Sequence, residues 1–131
     1  MAEIKYVVRL WVRGNDFDPD MVSDLLELDP SATTVAGEML PHRLNRIAPI
    51  TTWSFNEKGA DEHWLSLEEG LRSMTTLLLP RKKELAQLAT KYEVFIGCGV
   101  FKESFDGGPT FSPHLLHDLA ELGIELSIDI Y

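Results

Sequence analysis

Carboxylates that could bind calcium stand close together near the start of the chain. Asp16, Asp18 and Asp20 alternate in DFDPD, and Glu27 follows eleven positions after the first of them. This spacing imitates the ligands of an EF-hand loop, but such a loop needs glycine at its sixth position, where this chain has Met21. The same acids are typical of a helix N-terminus, where they cap free amides and meet the positive end of the helix dipole. We therefore interpret them as capping residues.

Two histidines are the next candidate ligands. His114 and His117 lie three residues apart in HLLHD, beside Asp118, a spacing that could ligate zinc on one helix. Neither a cysteine nor an H-E-x-x-H frame accompanies them. A solvated helix face explains the same residues. The sequence therefore predicts no metal and no other cofactor.

A third cluster is basic. His42, Arg43 and Arg46 gather in PHRLNR, within an otherwise acidic chain. Two arginines can hold a carboxylate or a phosphate through paired hydrogen bonds. Ordinary solubilising charge, paired with the many carboxylates, explains these residues as well. The 37–49 loop is thus a candidate anion-binding site.

No side chain has the sequence context of a catalytic nucleophile. The serines lie outside any G-x-S-x-G elbow, and the single cysteine, Cys98, stands between glycines in FIGCGVF with no signal for a basic partner. No catalytic residue is predicted. A non-enzymatic protein is therefore the favoured expectation, and an enzyme stays the alternative. A lone cysteine cannot form an internal disulfide, which favours a reducing cytoplasm.

Length and charge restrict the classes of partner. A chain of 131 residues is the size of one domain, here taken as residues 1–131. The net charge is −9, from 12 basic and 21 acidic residues, which disfavours a nucleic-acid surface because phosphates need clustered Lys and Arg. No apolar run approaches the roughly 18 residues of a membrane helix. We expect a cytoplasmic protein that binds neither nucleic acid nor membrane.

Hydrophobic periodicity places these residues on secondary structure. Residues 4–12 alternate between apolar and more polar side chains, which predicts a half-buried strand. Further strands are predicted at 33–36, at 50–56, in YEVFIGCGVF and in IELSIDIY. The last of these has one aliphatic face, formed by Ile124, Leu126, Ile128 and Ile130. Two helices are predicted between the strand at 50–56 and YEVFIGCGVF. Their apolar stripe begins after a cap at Asp61 and is broken at Pro80.

A twelve-residue motif, which we call the repeated phrase, occurs twice in similar form. It reads FDPDMVSDLLEL from Phe17 and FSPHLLHDLAEL from Phe111. Each copy places a capping residue, Asp18 or Ser112, directly before a proline suited to the first helical position. Apolar stripes follow, formed by Met21, Val22, Leu25 and Leu26 in the first copy and by Leu115, Leu116, Leu119 and Leu122 in the second. The repeat therefore marks the helix start in two pseudo-equivalent strand–helix–strand halves.

The order of elements predicts an α+β single-domain sandwich. We expect a four- or five-stranded, mostly antiparallel sheet with helices on one face, ferredoxin-like and built from the two pseudo-repeated halves.

Several of these stretches resemble a known bacterial family, domain of unknown function 4279. The resemblance rests on FDPDMVSDLLELDPSAT, the pair Gly37-Glu38, TTWSF and the ending FSPHLLHDLAELGIELSIDIY, and it covers nearly the whole chain. The Phe-x-Pro helix starts and the terminal DIY are its more specific features. It implies one small cytosolic domain and brings no catalytic residue set.

The uncovered face of the sheet is the strongest functional lead. If the even-numbered residues of the first strand face the helices, Trp11, Phe95, Phe101 and Tyr131 share the other face, unless the 37–49 loop or a helix covers it. Exposed aromatic patches are typical of interfaces. We expect a protein partner or a homodimer on this face, for example a toxin neutralised by an immunity protein. The alternative is a regulatory domain or minor enzyme that binds a small anion at the 37–49 loop.

Overall fold

The computed structural model describes residues 5–40, 46–58, 63–101 and 109–131. Its described part contains five strands, four α-helices and one 3₁₀ turn. In chain order these are β1 (Lys5–Gly14), α1 (Pro19–Leu26), β2 (Ala32–Thr34), β3 (Thr51–Phe55), α2 (Leu67–Leu78), the 3₁₀ turn (Leu79–Arg81), α3 (Lys82–Ala89), β4 (Glu93–Phe101), α4 (Pro113–Leu122) and β5 (Glu125–Ile130).

The five strands form one mixed sheet in the order β2-β3-β1-β4-β5. β1 lies in the middle and pairs antiparallel with both β3 and β4, and β2 pairs antiparallel with β3. Only β4 and β5 are parallel, a pairing that needs a crossover, and α4 supplies it. The predicted α+β, mostly antiparallel sheet is confirmed.

Alternation along β1 and β4 separates a buried face of the sheet from an open one. Even-numbered side chains such as Val8, Leu10 and Ile96 are at most 1% exposed and belong to the core, together with the apolar stripes of the helices. The odd-numbered side chains of both strands are half-buried or exposed. The helices therefore lie on one face, as predicted.

The two predicted caps of the repeated phrase are confirmed. The Asp18 carboxylate accepts a hydrogen bond from the Asp20 amide, and the Ser112 hydroxyl accepts one from the Leu115 amide. The prediction of a cap at Asp61 for the longest helix was wrong, because Ser66 occupies the cap of α2. Asp61 itself lies outside the described residues.

The predicted break at Pro80 is confirmed, because α2 ends at Leu78. Pro80 lies in the 3₁₀ turn, which links α2 directly to α3. The Arg81 guanidinium donates to the carbonyls of Leu26 and Leu77, at 2.6 and 2.7 Å. Carbonyls at helix ends have no partner within their own helix. One side chain therefore satisfies the ends of α1 and α2 together.

The equivalence of the two halves, and with it the ferredoxin-like repeat, is not confirmed. β1 and β2, which flank α1, are separated in the sheet by β3, whereas β4 and β5, which flank α4, are direct neighbours. The second stripe also differs from the prediction, because Leu116 is 51% exposed. Both copies of the phrase begin a helix, but they do so in different surroundings.

Candidate functional site: the open face of the sheet

The odd-numbered residues of β1 and β4, together with the end of β5, form one continuous surface, which we call the open face. A groove of about 360 Å³ runs across it. Direct cross-strand pairing brings the side chains together, with Trp11 opposite Phe95 and Arg9 opposite Gly97. The other residues that line the groove are Val7, Arg13, Cys98, Gly99, Phe101, Ser127, Asp129 and Tyr131.

All four aromatic residues predicted for this face lie on it, as two stacked pairs. The rings of Trp11 and Phe95 have centroids 6.3 Å apart and planes 12° from parallel. The rings of Phe101 and Tyr131 are closer, at 4.6 Å and 7°. Stacked rings attract each other beyond the apolar area they bury. The open face therefore presents two ordered aromatic pairs. We call Trp11 and Phe95 the first platform, and Phe101 and Tyr131 the second platform.

Two glycines in β4 allow both platforms to lie close to the strand. A β-carbon at Gly97 would come within 3.0 Å of Cδ1 and Nε1 of Trp11, and one at Gly99 within 3.0 Å of Cε2 of Phe101. Such contacts are too short for an unstrained side chain. The rings therefore cover glycines that would otherwise weaken a strand, and the glycines form the floor of the groove.

Two arginines of β1 lie against the first platform. The Arg9 guanidinium carbon is 5.5 Å from the centroid of the Trp11 ring, and that of Arg13 is 5.3 Å from Phe95. Both distances suit a cation–π contact. The Nε atom of each arginine is buried and has no hydrogen-bond partner among the described residues, so ring packing positions this part of both side chains.

The terminal groups of the two arginines differ in their partners. Arg13 Nη2 pairs with the Glu93 carboxylate at 3.2 Å, and both side chains are about half exposed. No residue in the described part of the chain accepts a hydrogen bond from Arg9 or forms an ion pair with it. Among the described residues, the Arg9 guanidinium on the open face therefore contacts an indole ring and no polar group.

The predicted anion-binding cluster lies only partly within the described residues and stays a prediction. Arg46 is exposed, while His42 and Arg43 lie outside the described residues. The His114 imidazole is 3.4 Å from the Asp118 carboxylate on the same helix. Among the residues that the structure describes, no three His, Cys, Asp or Glu side chains are grouped to hold a metal ion, and no helix is long and apolar enough to cross a bilayer.

The side chain of the single cysteine faces the core, on the side of the sheet opposite the open face, although Cys98 also borders the groove. The Cys98 side chain is 3% exposed within the core. Burial raises the pKa of its thiol to about 12. The thiolate is the nucleophilic form of cysteine, so this thiol is held in its unreactive form at neutral pH.

Comparison with known proteins identifies a family from nearly the full length of the chain. The family model Domain of unknown function (DUF4279) matches residues 3–131. The chain belongs to this family. No curated protein and no solved structure is a significant match. The family resemblance predicted from the Phe-x-Pro helix starts is confirmed.

Within this DUF4279 domain, the sequence indicated the aromatic residues of the open face but not the roles of Arg9, Gly97 and Gly99. Alternation alone can place Arg9 beside Trp11. Its contact with the ring depends on side-chain rotamers, which the sequence does not specify. A glycine opposite a large aromatic in a neighbouring strand is a usable signal once the register of β1 and β4 is known.

Proposed function

We propose that this DUF4279 chain is a non-enzymatic interaction domain that binds another protein through its open face. The observation that carries the proposal is the combination of two ordered aromatic platforms with Arg9, which has no polar partner among the residues that the structure describes. Aromatic residues and arginine are enriched at the centres of protein interfaces, where few residues carry most of the binding energy.

The arginine indicates the chemistry of the partner segment. A guanidinium binds a carboxylate through two parallel hydrogen bonds, and a neighbouring ring strengthens this contact by excluding water. Among the described residues, the terminal N–H groups of Arg9 have no acceptor and are available for such a contact, whereas Arg13 already forms an ion pair with Glu93. We therefore expect the partner to place an acidic side chain beside Arg9 and apolar side chains over the two platforms.

The platforms also favour a preformed surface over an induced one. Stacking and the glycine floor fix the rings before any partner arrives, which lowers the entropy lost when side chains are ordered on binding. The narrower expectation of a toxin partner stays a prediction. Its test is rescue of growth when the chain is expressed together with a candidate toxin.

Two steps test the proposal. The chain is first used to capture a partner from a lysate of the source organism, and the purified partner is then titrated against the chain and its variants. Trp11→Glu should weaken binding by about thirtyfold or more, the loss typical of a central interface residue. Leu65→Glu is the matched control, because Leu65 is 84% exposed and is not part of the open face. Equal affinities of wild type and Trp11→Glu for the purified partner would refute the proposal.

Arginine variants in the same titration test the chemistry of the partner. Arg9→Gln should weaken binding about tenfold, as expected for loss of a hydrogen bond to a charged group. Arg13→Gln should have a smaller effect, since its partner is the exposed Glu93 and such surface pairs contribute little. If Trp11→Glu changes the mass of the chain in solution but not its capture of other proteins, the occupant of the face is a second copy.

A further inference from the structure

Among the described residues, no strand pairs with the outer edge of β5, so its outward backbone groups are available to another strand. β5 is the last strand of the sheet, and within the described residues it pairs only with β4. The Tyr131 amide donates to the Val100 carbonyl at 2.8 Å. Successive amides of a strand point in opposite directions, so Leu126, Ile128 and Ile130 direct their N–H and C=O groups away from the sheet.

The same strand alternates aliphatic residues with two exposed acids, Glu125 and Asp129, and lacks most of the features that protect a sheet edge. Ile128 and Ile130 are 37% and 59% exposed. Natural sheets usually block such edges with lysine, proline, a bulge or a very short strand. β5 is six residues long, contains neither lysine nor proline, and pairs with β4 in unbroken register. An edge of this kind is a template for a further strand.

We propose that β5 pairs antiparallel with β5 of a second copy of this chain, about a twofold axis through Ile128. The two five-stranded sheets would then join into one continuous sheet. This proposal concerns the edge of the sheet and does not depend on what the open face binds.

Charge complementarity selects the register. About a twofold axis perpendicular to the sheet, two registers pair five or more residues of β5, with the axis at Ser127 or at Ile128. The axis at Ser127 places Glu125 opposite Asp129 twice, and like charges directly opposite each other destabilise a strand pair. The axis at Ile128 places Ser127 opposite Asp129 instead, and no acid then faces an acid.

The register at Ile128 also aligns the apolar residues. Leu126 of each copy lies opposite Ile130 of the other, on either side of the central Ile128 pair. These are the residues whose backbone groups point outward, so each apolar pair is also a hydrogen-bonded pair. The pairing covers the exposed isoleucines and satisfies the free edge in one step.

A twofold axis perpendicular to the sheet keeps both open faces on the same side. Tyr131 lies next to the seam in this arrangement, opposite Glu125 of the second copy. The second copy therefore adds a carboxylate beside the Phe101–Tyr131 platform. The dimer would present two platforms of this kind side by side, which permits bivalent capture of a partner.

Light scattering on a dilution series tests the dimer. Wild type should approach twice the 14.8 kDa of one chain as its concentration rises. Ile128→Lys places two like charges opposite each other and should raise the dimer dissociation constant about tenfold or more. Ile47→Lys is the control. Ile47 is also exposed, at 61%, but it lies in the segment between β2 and β3, the two strands at the opposite edge of the sheet. A single-chain mass throughout the series, or a dimer unaffected by Ile128→Lys, would overturn the proposal.

Engineered cysteines test the register without relying on a change in stability. Directly opposite residues in a hydrogen-bonded pair have Cα atoms about 5.5 Å apart, within disulfide range. Mild oxidation should therefore cross-link Ile128→Cys and leave Ser127→Cys largely uncross-linked, while the buried Cys98 stays reduced. Preferential cross-linking of Ser127→Cys would overturn the register.

Open-face variants separate this dimer from the proposed function. Trp11→Glu should remain a dimer, and Ile128→Lys should retain its affinity for a partner in a one-to-one titration.

Discussion

At the scale of single residues, the glycines of β4 determine how the aromatic platforms lie. A β-carbon at Gly97 would lie 3.0 Å from the Trp11 indole, and one at Gly99 would lie 3.0 Å from the Phe101 ring, both tighter than ordinary contacts. A larger residue at either site must push a ring outward. Because the rings are partly exposed, they can move, and the cost in stability should stay below about 1 kcal/mol, under the usual cost of overpacking a core.

Gly97→Ala should therefore displace Trp11 without unfolding the chain. The three tryptophans give three indole N–H resonances, and Gly97→Ala should move that of Trp11. Gly99→Ala is the matched control, because its new methyl group meets Phe101 and Tyr131 and should leave the Trp11 resonance in place. Identical indole spectra for Gly97→Ala and wild type would show that the indole does not lie over Gly97.

At the scale of elements, one carboxylate joins the starts of two helices. Glu68, in the first turn of α2, accepts a hydrogen bond of 2.6 Å from the amide of Ser112, the cap residue of α4. This backbone hydrogen bond is the main cause that lowers the pKa of Glu68 below its usual value of 4.5, with the Ser112 side chain second. The ionised form is therefore favoured in the folded state.

The stability that Glu68 contributes should depend on pH in one direction. A carboxyl whose pKa is lower in the folded than in the unfolded chain stabilises fully above the unfolded value and loses this effect as the pH falls through the folded value. Glu68→Gln should thus flatten the decline in unfolding free energy below about pH 4.5, as measured by urea titration. Glu69→Gln removes a charge from the same turn without contacting Ser112. If it flattens the decline equally, the Ser112 contact is not the cause.

The sequence predicted the elements better than their surroundings, and β5 shows why. Its alternation identifies a strand with one aliphatic face, which is correct, yet Ile128 and Ile130 on that face are exposed. A period of two reports which side chains share a face, whereas coverage of that face depends on distant elements. β5 is parallel to β4 and is the edge strand of the sheet. Local hydrophobic periodicity indicates neither the direction of pairing nor the position of a strand in the sheet.

Helix starts were predictable for the opposite reason. Asp18-Pro19 and Ser112-Pro113 determine their caps through contacts within three residues, so the sequence alone suffices. The cap of α2 was misassigned to Asp61 because Trp64 continues the helical stripe in sequence. Trp64 instead pairs with Tyr6 of β1 before the helix begins at Leu67. A contact between distant residues overrode the local pattern.

At the scale of the whole molecule, β4 links every functional feature. It pairs with β1, which carries the arginines, and with β5, the proposed dimer edge. Its odd-numbered face forms the groove, and its even-numbered face, including Cys98, forms part of the core. Opening this strand would disrupt the groove, the core and the edge together, so we expect the Cys98 thiol to become accessible only when the molecule unfolds globally.

Alkylation of Cys98 measures that cooperativity directly. With a pKa of about 12 and a buried side chain, the native thiol should be inert to iodoacetamide at pH 8. Labelling should require unfolding, so the free energy obtained from labelling rates across a urea series should equal that obtained from circular dichroism. Ser127→Cys, on the exposed β5, supplies the control, because its new thiol should react in the native state. If Cys98 reacts much faster than global unfolding permits, β4 opens on its own, and the groove and the β5 edge would then be independent of the core beneath them.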